Sequence, residues 1–141
     1  MAIYLSNGVV VTLNSVALSD HVTMATINRA FDELEVTAMG DSGHKFVKGL
    51  ESSTVTIDFL NDTAAASVLA TLQTAYGTTV AFSAIQDTTS PVTVSATNKL
   101  YTGTILVDNI TDINGAVGDE GMLDITFTCN SKTVVATTGT F

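Results

Sequence analysis

The sequence predicts a mainly β fold, a β-sandwich or barrel with one flanking α-helix, in a single domain spanning residues 1–141. Hydrophobic residues make up 45% of the chain and charged residues only 13%. This mixture excludes a disordered protein, because disorder needs low hydrophobicity and high charge. Serine and threonine fill about a quarter of the positions, and apolar residues alternate with polar ones over most segments, the period of half-buried strands.

The alternation places the strands in order along the chain. Segment 33–38 shows it clearly, because Leu34 and Val36 fall on one face while Glu33 and Glu35 fall on the other. The first strand follows a hairpin-type turn, Ser6-Asn7-Gly8. The predicted strands cover residues 9–13, 21–28, 33–38, 54–58, 79–85, 92–97, 100–108, 122–129 and 133–136.

One segment has the period of a helix instead. Asp62 is suited to cap a helix over 63–76, and Gly77 is suited to end it. The apolar residues recur at intervals of three and four, which gives a single stripe for packing on the sheet. The stripe consists of Ala65, Val68, Leu69, Leu72 and Tyr76.

Two long loops separate the predicted strands. Segment 39–53 contains three glycines together with charged residues, and it is too long for a tight hairpin turn. Segment 108–121 contains Asn114-Gly115 and the acidic residues Asp112, Asp119 and Glu120. Long structured loops are usually functional, so these two loops are candidates for a functional role.

The charge balance argues against several functions. Fourteen acidic residues against five basic ones give a net charge of −9, and tight nucleic-acid binding needs many lysines and arginines. The uncharged run 63–86 is too polar to cross a bilayer, so we expect no membrane insertion. Residues 1–19 lack the basic start of a signal peptide. The lone Cys129 lies among alternating apolar residues and is predicted to be a buried thiol.

Short motifs for chemistry fail on their context. Gly40-Asp41-Ser42-Gly43 matches a protease nucleophile signature and loosely a phosphate loop, but the chain is too short for that protease and no Gly-Lys-Ser/Thr ending follows. His21 and His44 lack metal-ligand spacing. The loop from Asp112 has the wrong residues for a calcium-binding EF-hand. We therefore expect no enzyme activity, no cofactor and no metal site.

A surface pattern remains after these exclusions. Four predicted strands carry threonines and carboxylates on one face and almost no lysine or arginine. A sheet built from them has one apolar face for the core and one smooth, acidic, hydroxyl-rich face. The residues concerned include Glu33, Glu35, Thr54, Thr56, Asp58, Thr102, Thr104, Asp124 and Thr126.

Long segments of the chain resemble the major tail tube proteins of bacteriophages with long non-contractile tails. The segments are AIYLSN at 2–7, LSDHVT at 18–23, RAFDELEVTAMGDSGHKFVKGLESSTVTIDFLND at 29–62 and INGAVGDEGMLDITFTCN at 113–130. The resemblance rests on the total length of these segments and on the order of strand, long loop, strand, helix and strands. It covers most of the chain and includes no single diagnostic motif.

The resemblance implies a virion structural protein that assembles six to a ring. Four strands from each subunit join into one continuous barrel, and stacked rings form the hollow tail tube through which genomic DNA is ejected without specific binding. It implies synthesis in the host bacterial cytoplasm, and tape-measure, tail-tip and tail-terminator proteins as partners. Such a protein works without catalysis.

The resemblance also gives roles to residues. The lumen-lining candidates are Glu33, Glu35, Thr54, Thr56, Asp58, Asp124 and Thr126. The long loop, with Asp41, His44, Lys45, Phe46 and Lys48, corresponds to the loop that reaches a neighbouring subunit or ring. Two alternatives stay open, a tube or ring protein of a bacterial injection system and a small β-sandwich binding or decoration module.

Overall fold

Eight strands and one helix make up the fold, which is given by a computed structural model that describes residues 10–14, 16–17, 19–65, 67–86 and 93–141. The first half of the chain forms β1 (Val10–Leu13), β2 (Val16–Ala17), a 3₁₀ turn (Ser19–His21), β3 (Val22–Glu35) and β4 (Phe46–Leu60). The second half forms α1 (Val68–Ala75), β5 (Thr79–Ile85), β6 (Leu100–Leu106), β7 (Met122–Cys129) and β8 (Val134–Ala136).

The strands form one antiparallel sheet that divides into two halves. Its order is β2-β1-β5-β6-β7-β4-β3, and β8 pairs with β6. The link between the halves is narrow, because β6 and β7 pair only at Ile105–Cys129 and Leu106–Thr128. Both halves contribute side chains to one core cluster, so they pack together through their apolar faces. The predicted mainly β fold with one helix is confirmed.

The core residues alternate strictly along β4 and β7. Val55 pairs with Phe127, Ile57 with Ile125 and Phe59 with Leu123, and all six side chains are buried. Val11, Leu13, Phe82, Ala84 and Ile105 reach the same cluster from the other half. The period-two pattern in the sequence therefore marks the core face correctly on these strands.

The strand pairing gives the molecule two distinct ends. At one end β6 leads into β7 through residues 107–121, and β4 ends there opposite the start of β7. We call it the loop end. At the other end β5 and β7 finish and β6 begins, while β3 and β4 continue as a long hairpin. We call it the arm end.

Two predicted boundaries in this hairpin are wrong. The predicted strands 21–28 and 33–38 belong to one continuous strand, β3, which runs over Val22–Glu35. The predicted loop 39–53 is shorter, because β4 already begins at Phe46. Residues 46–48 pair with β3, and Gly49 and Leu50 form a bulge before the pairing resumes at Glu51. Backbone hydrogen bonds therefore supply a ladder where the alternation of side chains fails.

The helix is also shorter than the predicted 63–76. It covers Val68–Ala75, and Ser67 precedes it without a side-chain capping bond. The carboxylate of Asp62 accepts the Ala64 N–H at 2.8 Å and lies near His21, so it stabilises an earlier turn. Gly77 follows with a φ of +80°, a left-handed conformation that favours glycine at the end of a helix. Thus Tyr76 lies outside the helix and is 55% exposed.

The predicted strand 92–97 is not found in its described part. Residues 93–97 have no strand pairing, and Ser95 and Asn98 exchange backbone hydrogen bonds of 2.9 and 3.3 Å in a turn. The turn at 6–8 and the stretch around Pro91 lie outside the described residues. The predicted strand 54–58 lies inside the longer β4, and the other predicted strands are present with bounds that differ by up to two residues at an end.

Gly103 on β6 allows a close contact in the core. A β-carbon built there lies 2.9 Å from Cε1 of the buried Phe82 ring. We expect Gly103→Ala to lower the free energy of unfolding by about 1–3 kcal/mol, since a well-packed core resists added volume. Urea denaturation measures this effect. Gly43→Ala is the matched control, because nothing lies within 4 Å of a β-carbon at that position; equal stability of both variants would contradict the packing account.

Candidate functional site: the hydroxyl face, the arm and the loop end

The outward face of β4 and β7 is a continuous surface of hydroxyl groups, and β3 adds Thr26 to it, between the outward Met24 and Asn28. Thr54 pairs across the strands with Thr128, and Thr56 pairs with Thr126. The side-chain oxygens of Thr56 and Thr126 lie 3.0 Å apart. Thr26 on β3 pairs with Thr56 and extends the row. None of these outward positions on the three strands is lysine or arginine. We call this surface the hydroxyl face; its residues are Thr26, Thr54, Thr56, Asp58, Asp124, Thr126 and Thr128.

Two carboxylates lie at the edge of the hydroxyl face that is nearest the loop end. Asp58 and Asp124 are direct cross-strand partners. Burial and, after it, the neighbouring Asp124 carboxylate raise the pKa of Asp58. One oxygen of Asp58, Oδ1, is buried and has no hydrogen-bond partner in the described part of the chain. The ionised form of Asp58 is therefore disfavoured in the folded protein.

Removing the Asp58 charge should stabilise the protein at neutral pH. Because the pKa of Asp58 is raised on folding, its contribution to stability is full below the ordinary pKa of an aspartate and is lost as the pH rises through the raised value. We expect Asp58→Asn to melt at a higher temperature than the wild type at pH 7, with the difference shrinking below pH 4. Asp119→Asn, on an exposed loop, is the control and should change little. A lower melting temperature for Asp58→Asn at pH 7 would contradict this assignment.

The structure does not place Glu33 and Glu35 on the hydroxyl face. A register shift between Phe31 and Glu33 sets Asp32 opposite two residues of β4, and Glu33 then pairs with Lys48. Lys48 lies over the Phe31 ring at 5.0 Å, so these side chains share the face that leads to the core. A β-carbon on Gly49 would contact Asp32 and Leu34, the residues that alternate with Glu33 and Glu35 along β3. The prediction that Glu33 and Glu35 share a face with Thr56 is wrong, because β3 keeps its alternation through the bulge.

The β3–β4 hairpin extends beyond the core as an arm, which we define as residues 31–51. The residues predicted for an inter-subunit loop lie on it. Asp41 binds Lys45 at 2.7 Å and accepts the Ala38 N–H, and the Lys45 contact lowers the pKa of Asp41. His44 lies 3.3 Å from the Glu35 carboxylate. These contacts hold the turn at the tip of the arm, with Phe46 and Lys48 on the strand that returns from it.

The arm exposes apolar side chains on both of its faces, a feature that the predicted loop 39–53 does not include. Met39 and Leu50 are 105% and 82% exposed. The other exposed apolar residues of the arm are Phe31, Leu34, Val36, Phe46 and Val47. A two-stranded hairpin that exposes apolar residues on both sides does not bury them within its own chain, and such surfaces mark protein interaction sites. The signal in the sequence was the failure of clean alternation over 46–50.

At the loop end, acidic and apolar residues project from segment 107–121. The Gln73 amide donates to Asp112 at 3.1 Å, and the Asn114 amide donates to the Met122 carbonyl at 2.9 Å. Ile113 is 93% exposed and Val117 is 107% exposed. Asp119 and Glu120 are exposed as well. We call residues 107–121 the acidic loop.

His21 joins two turns at the same end. Its Nδ1 lies 2.7 Å from Asp20 and its Nε2 lies 2.9 Å from Asp62. The Asp20 contact contributes most to raising the pKa of His21, and burial opposes it. Both histidines therefore contact carboxylates. Within the described ranges, no cluster of histidine, cysteine and acidic residues could hold a metal ion.

A groove of about 270 Å³ opens between the two sheet halves toward the arm end. Ala25, Ile27 and Arg29 of β3 form one wall. The opposite wall comes from Ala84 and Ile85 of β5, from Gln86 directly after β5, and from Tyr101 of β6. We call it the Arg29 groove.

Cys129, which the sequence predicts to be buried, is partly buried and packs against the core cluster. Burial raises the pKa of its thiol.

The fold matches chains in solved structures of gene transfer agent particles. One, from a structure titled "Virion of native gene transfer agent (GTA) particle", gives a TM-score of 0.70 at 12% identity, covering 95% of this chain and 99% of that chain. Another, titled "Tail of empty GTA particle computed with helical refinement, C6 symmetry", gives 0.60 at 12% identity and covers 82% of each chain. No protein-family model and no curated protein sequence matches this chain.

The structural likeness spans almost the whole chain and supports the fold that the sequence resemblance implies. At this identity the likeness concerns the fold, which is that of chains from phage-like virion and tail particles. Among the residues that the structure describes, no helix is both long and apolar enough to cross a bilayer.

Proposed function

We propose that the chain is a structural subunit of a virion tail and that its copies assemble into stacked rings around a channel for DNA. The hydroxyl face carries this proposal. It is continuous over β4 and β7, reaches β3 at Thr26 and is free of lysine and arginine, with carboxylates at one end. Phosphates bind to cationic side chains, and a hydroxyl-rich, acidic wall therefore lets DNA pass without adhering.

The edge of the sheet supports assembly side by side. β3 is the last strand of the sheet, and within the described part of the chain no strand pairs with its outer edge. β3 is 14 residues long, and a long unpaired edge invites pairing with another chain. Joining this edge to a neighbouring subunit extends the hydroxyl face into a closed barrel.

The arm supplies the second contact. Its apolar residues on both faces become buried if it lies against a neighbouring subunit or ring. Six subunits to a ring is the number we propose, since one similar chain comes from a tail particle whose title states C6 symmetry. The assembly carries DNA by shape and charge, and we propose no catalysis.

Chemical labelling of assembled tubes tests whether the hydroxyl face lines the channel. We expect a cysteine at Thr126, in a Cys129→Ser background, to be shielded in tubes from a maleimide attached to a carrier protein wider than the bore. The same cysteine should react when the tubes are dissociated. Thr74→Cys, exposed on α1 at the side of the core away from the hydroxyl face, is the control and should react in both states. Equal labelling of Thr126→Cys in tubes and subunits would contradict the lumen assignment.

A further inference from the structure

The basic residues are confined to one end of the molecule. All five lysines and arginines of the chain lie toward the arm end by strand pairing. Lys45 and Lys48 lie on the arm, and Arg29 lines the groove. Lys99 directly precedes β6, and Lys132 follows β7. The arm end also contains carboxylates, so its charges of the two signs are mixed.

Apart from His21, which lies between Asp20 and Asp62, the charged residues at the opposite end are all acidic. Asp112, Asp119 and Glu120 lie on the acidic loop, Asp108 at its start, and Asp20 and Asp62 beside His21. The chain offers no lysine or arginine to balance them there. Like charges crowded at one surface repel one another, and a cationic partner surface removes that repulsion.

The shapes of the two ends also match. The acidic loop projects Ile113 and Val117, almost fully exposed, next to its carboxylates. The Arg29 groove is a concave site whose lining is more polar than apolar, with Ile27 beside the Arg29 guanidinium and the Gln86 amide. A protruding tip that carries carboxylates and a concave groove that carries a guanidinium are complementary in shape and in charge.

From these observations we infer that the acidic loop of one copy docks into the Arg29 groove of a second copy of this chain. The two surfaces lie at opposite ends of the molecule, so the contact is head-to-tail and repeats indefinitely along one direction. This inference rests on the proposed function and specifies one contact between stacked rings, distinct from that of the arm.

Charge reversal at each end tests the contact. We expect the variant Asp119→Lys with Glu120→Lys and the variant Arg29→Glu with Lys99→Glu each to raise the protein concentration needed for tubes by roughly tenfold or more, since like charges then meet at the interface. An equimolar mixture of the two variants should assemble near the wild-type concentration, because each reversed end then meets its complement. Added salt should weaken wild-type assembly, as expected for attraction between exposed charges.

The controls distinguish a failure to fold from a failure to form tubes and from the loss of the docking contact alone. Unchanged thermal melting shows that each variant folds, and Asp119→Asn with Glu120→Gln should give a smaller effect in the same direction. If the wild type forms tubes and both charge-reversed variants do so at the same concentration, the docking inference is overturned while the proposed function stands. If the single variants fail and their mixture also fails, the groove takes another occupant and the inference is wrong. A wild type that never assembles, even with tail-tip components, overturns the proposed function and the inference with it.

Discussion

A variant whose arm is cut back is expected to fold and to remain a monomer. Replacing residues 32–50 with a short Asn-Gly turn closes the hairpin at the Phe31–Glu51 pair. The core cluster contains no residue of the removed segment. We therefore expect an unchanged melting temperature but no tubes at concentrations at least about a hundredfold above the wild-type threshold, because the apolar contacts of the arm are lost.

Point substitutions distinguish the apolar contacts from the mere length of the arm. Leu34→Asp with Leu50→Asp removes two exposed apolar side chains, and Ser42→Asp adds charge at the tip without removing any. The first variant should assemble poorly and the second nearly normally. Sedimentation velocity measures both. Normal assembly of the truncated arm variant would contradict the role of the arm, and loss of folding would contradict its independence from the core.

Basic side chains on the hydroxyl face are expected to slow the release of DNA. Asp124→Lys with Thr126→Lys places two cations on exposed positions of β7, and assembly repeats them in every subunit around the channel. Lysines that contact phosphates release counterions and hold DNA. We expect virions with this variant to form tails of normal length but to eject their DNA at least about tenfold more slowly at low salt.

The salt dependence and a matched control make this prediction specific. High salt should restore much of the ejection rate, because binding to phosphates weakens with salt. Thr74→Lys adds a cation on the exposed side of α1 and should leave ejection unchanged. If virions with Asp124→Lys and Thr126→Lys eject DNA at the wild-type rate, the proposed position of the hydroxyl face on the channel wall is contradicted.

The strands that pack on the core could be predicted well from the sequence. β7 has the predicted bounds, Met122–Cys129, because Leu123, Ile125 and Phe127 alternate with polar residues without interruption. The threonines of β4 and β7 fall on one face for the same reason. A regular period fixes both the strand and the direction of its side chains.

The arm and the helix start could not be predicted in the same way. A bulge at Gly49 and Leu50 shifts the pairing of β3 with β4, and a shift of one residue changes which side chains share a face. Asp62 has the residue type of a helix cap, but its contacts with His21 and Ala64 stabilise another turn. The Arg29 groove joins β3 with β5 and β6, which only tertiary packing brings together.

Negative-stain electron microscopy of the purified protein, with sedimentation on the same sample, shows whether its copies assemble into tubes. We expect hollow rings or tubes, formed spontaneously at high concentration or on addition of tail-tip components. Their walls should be one subunit thick, with the arm bridging neighbouring subunits or rings. A protein that stays monomeric at every concentration and with tail-tip components present would contradict the account and favour a small β-sandwich binding module.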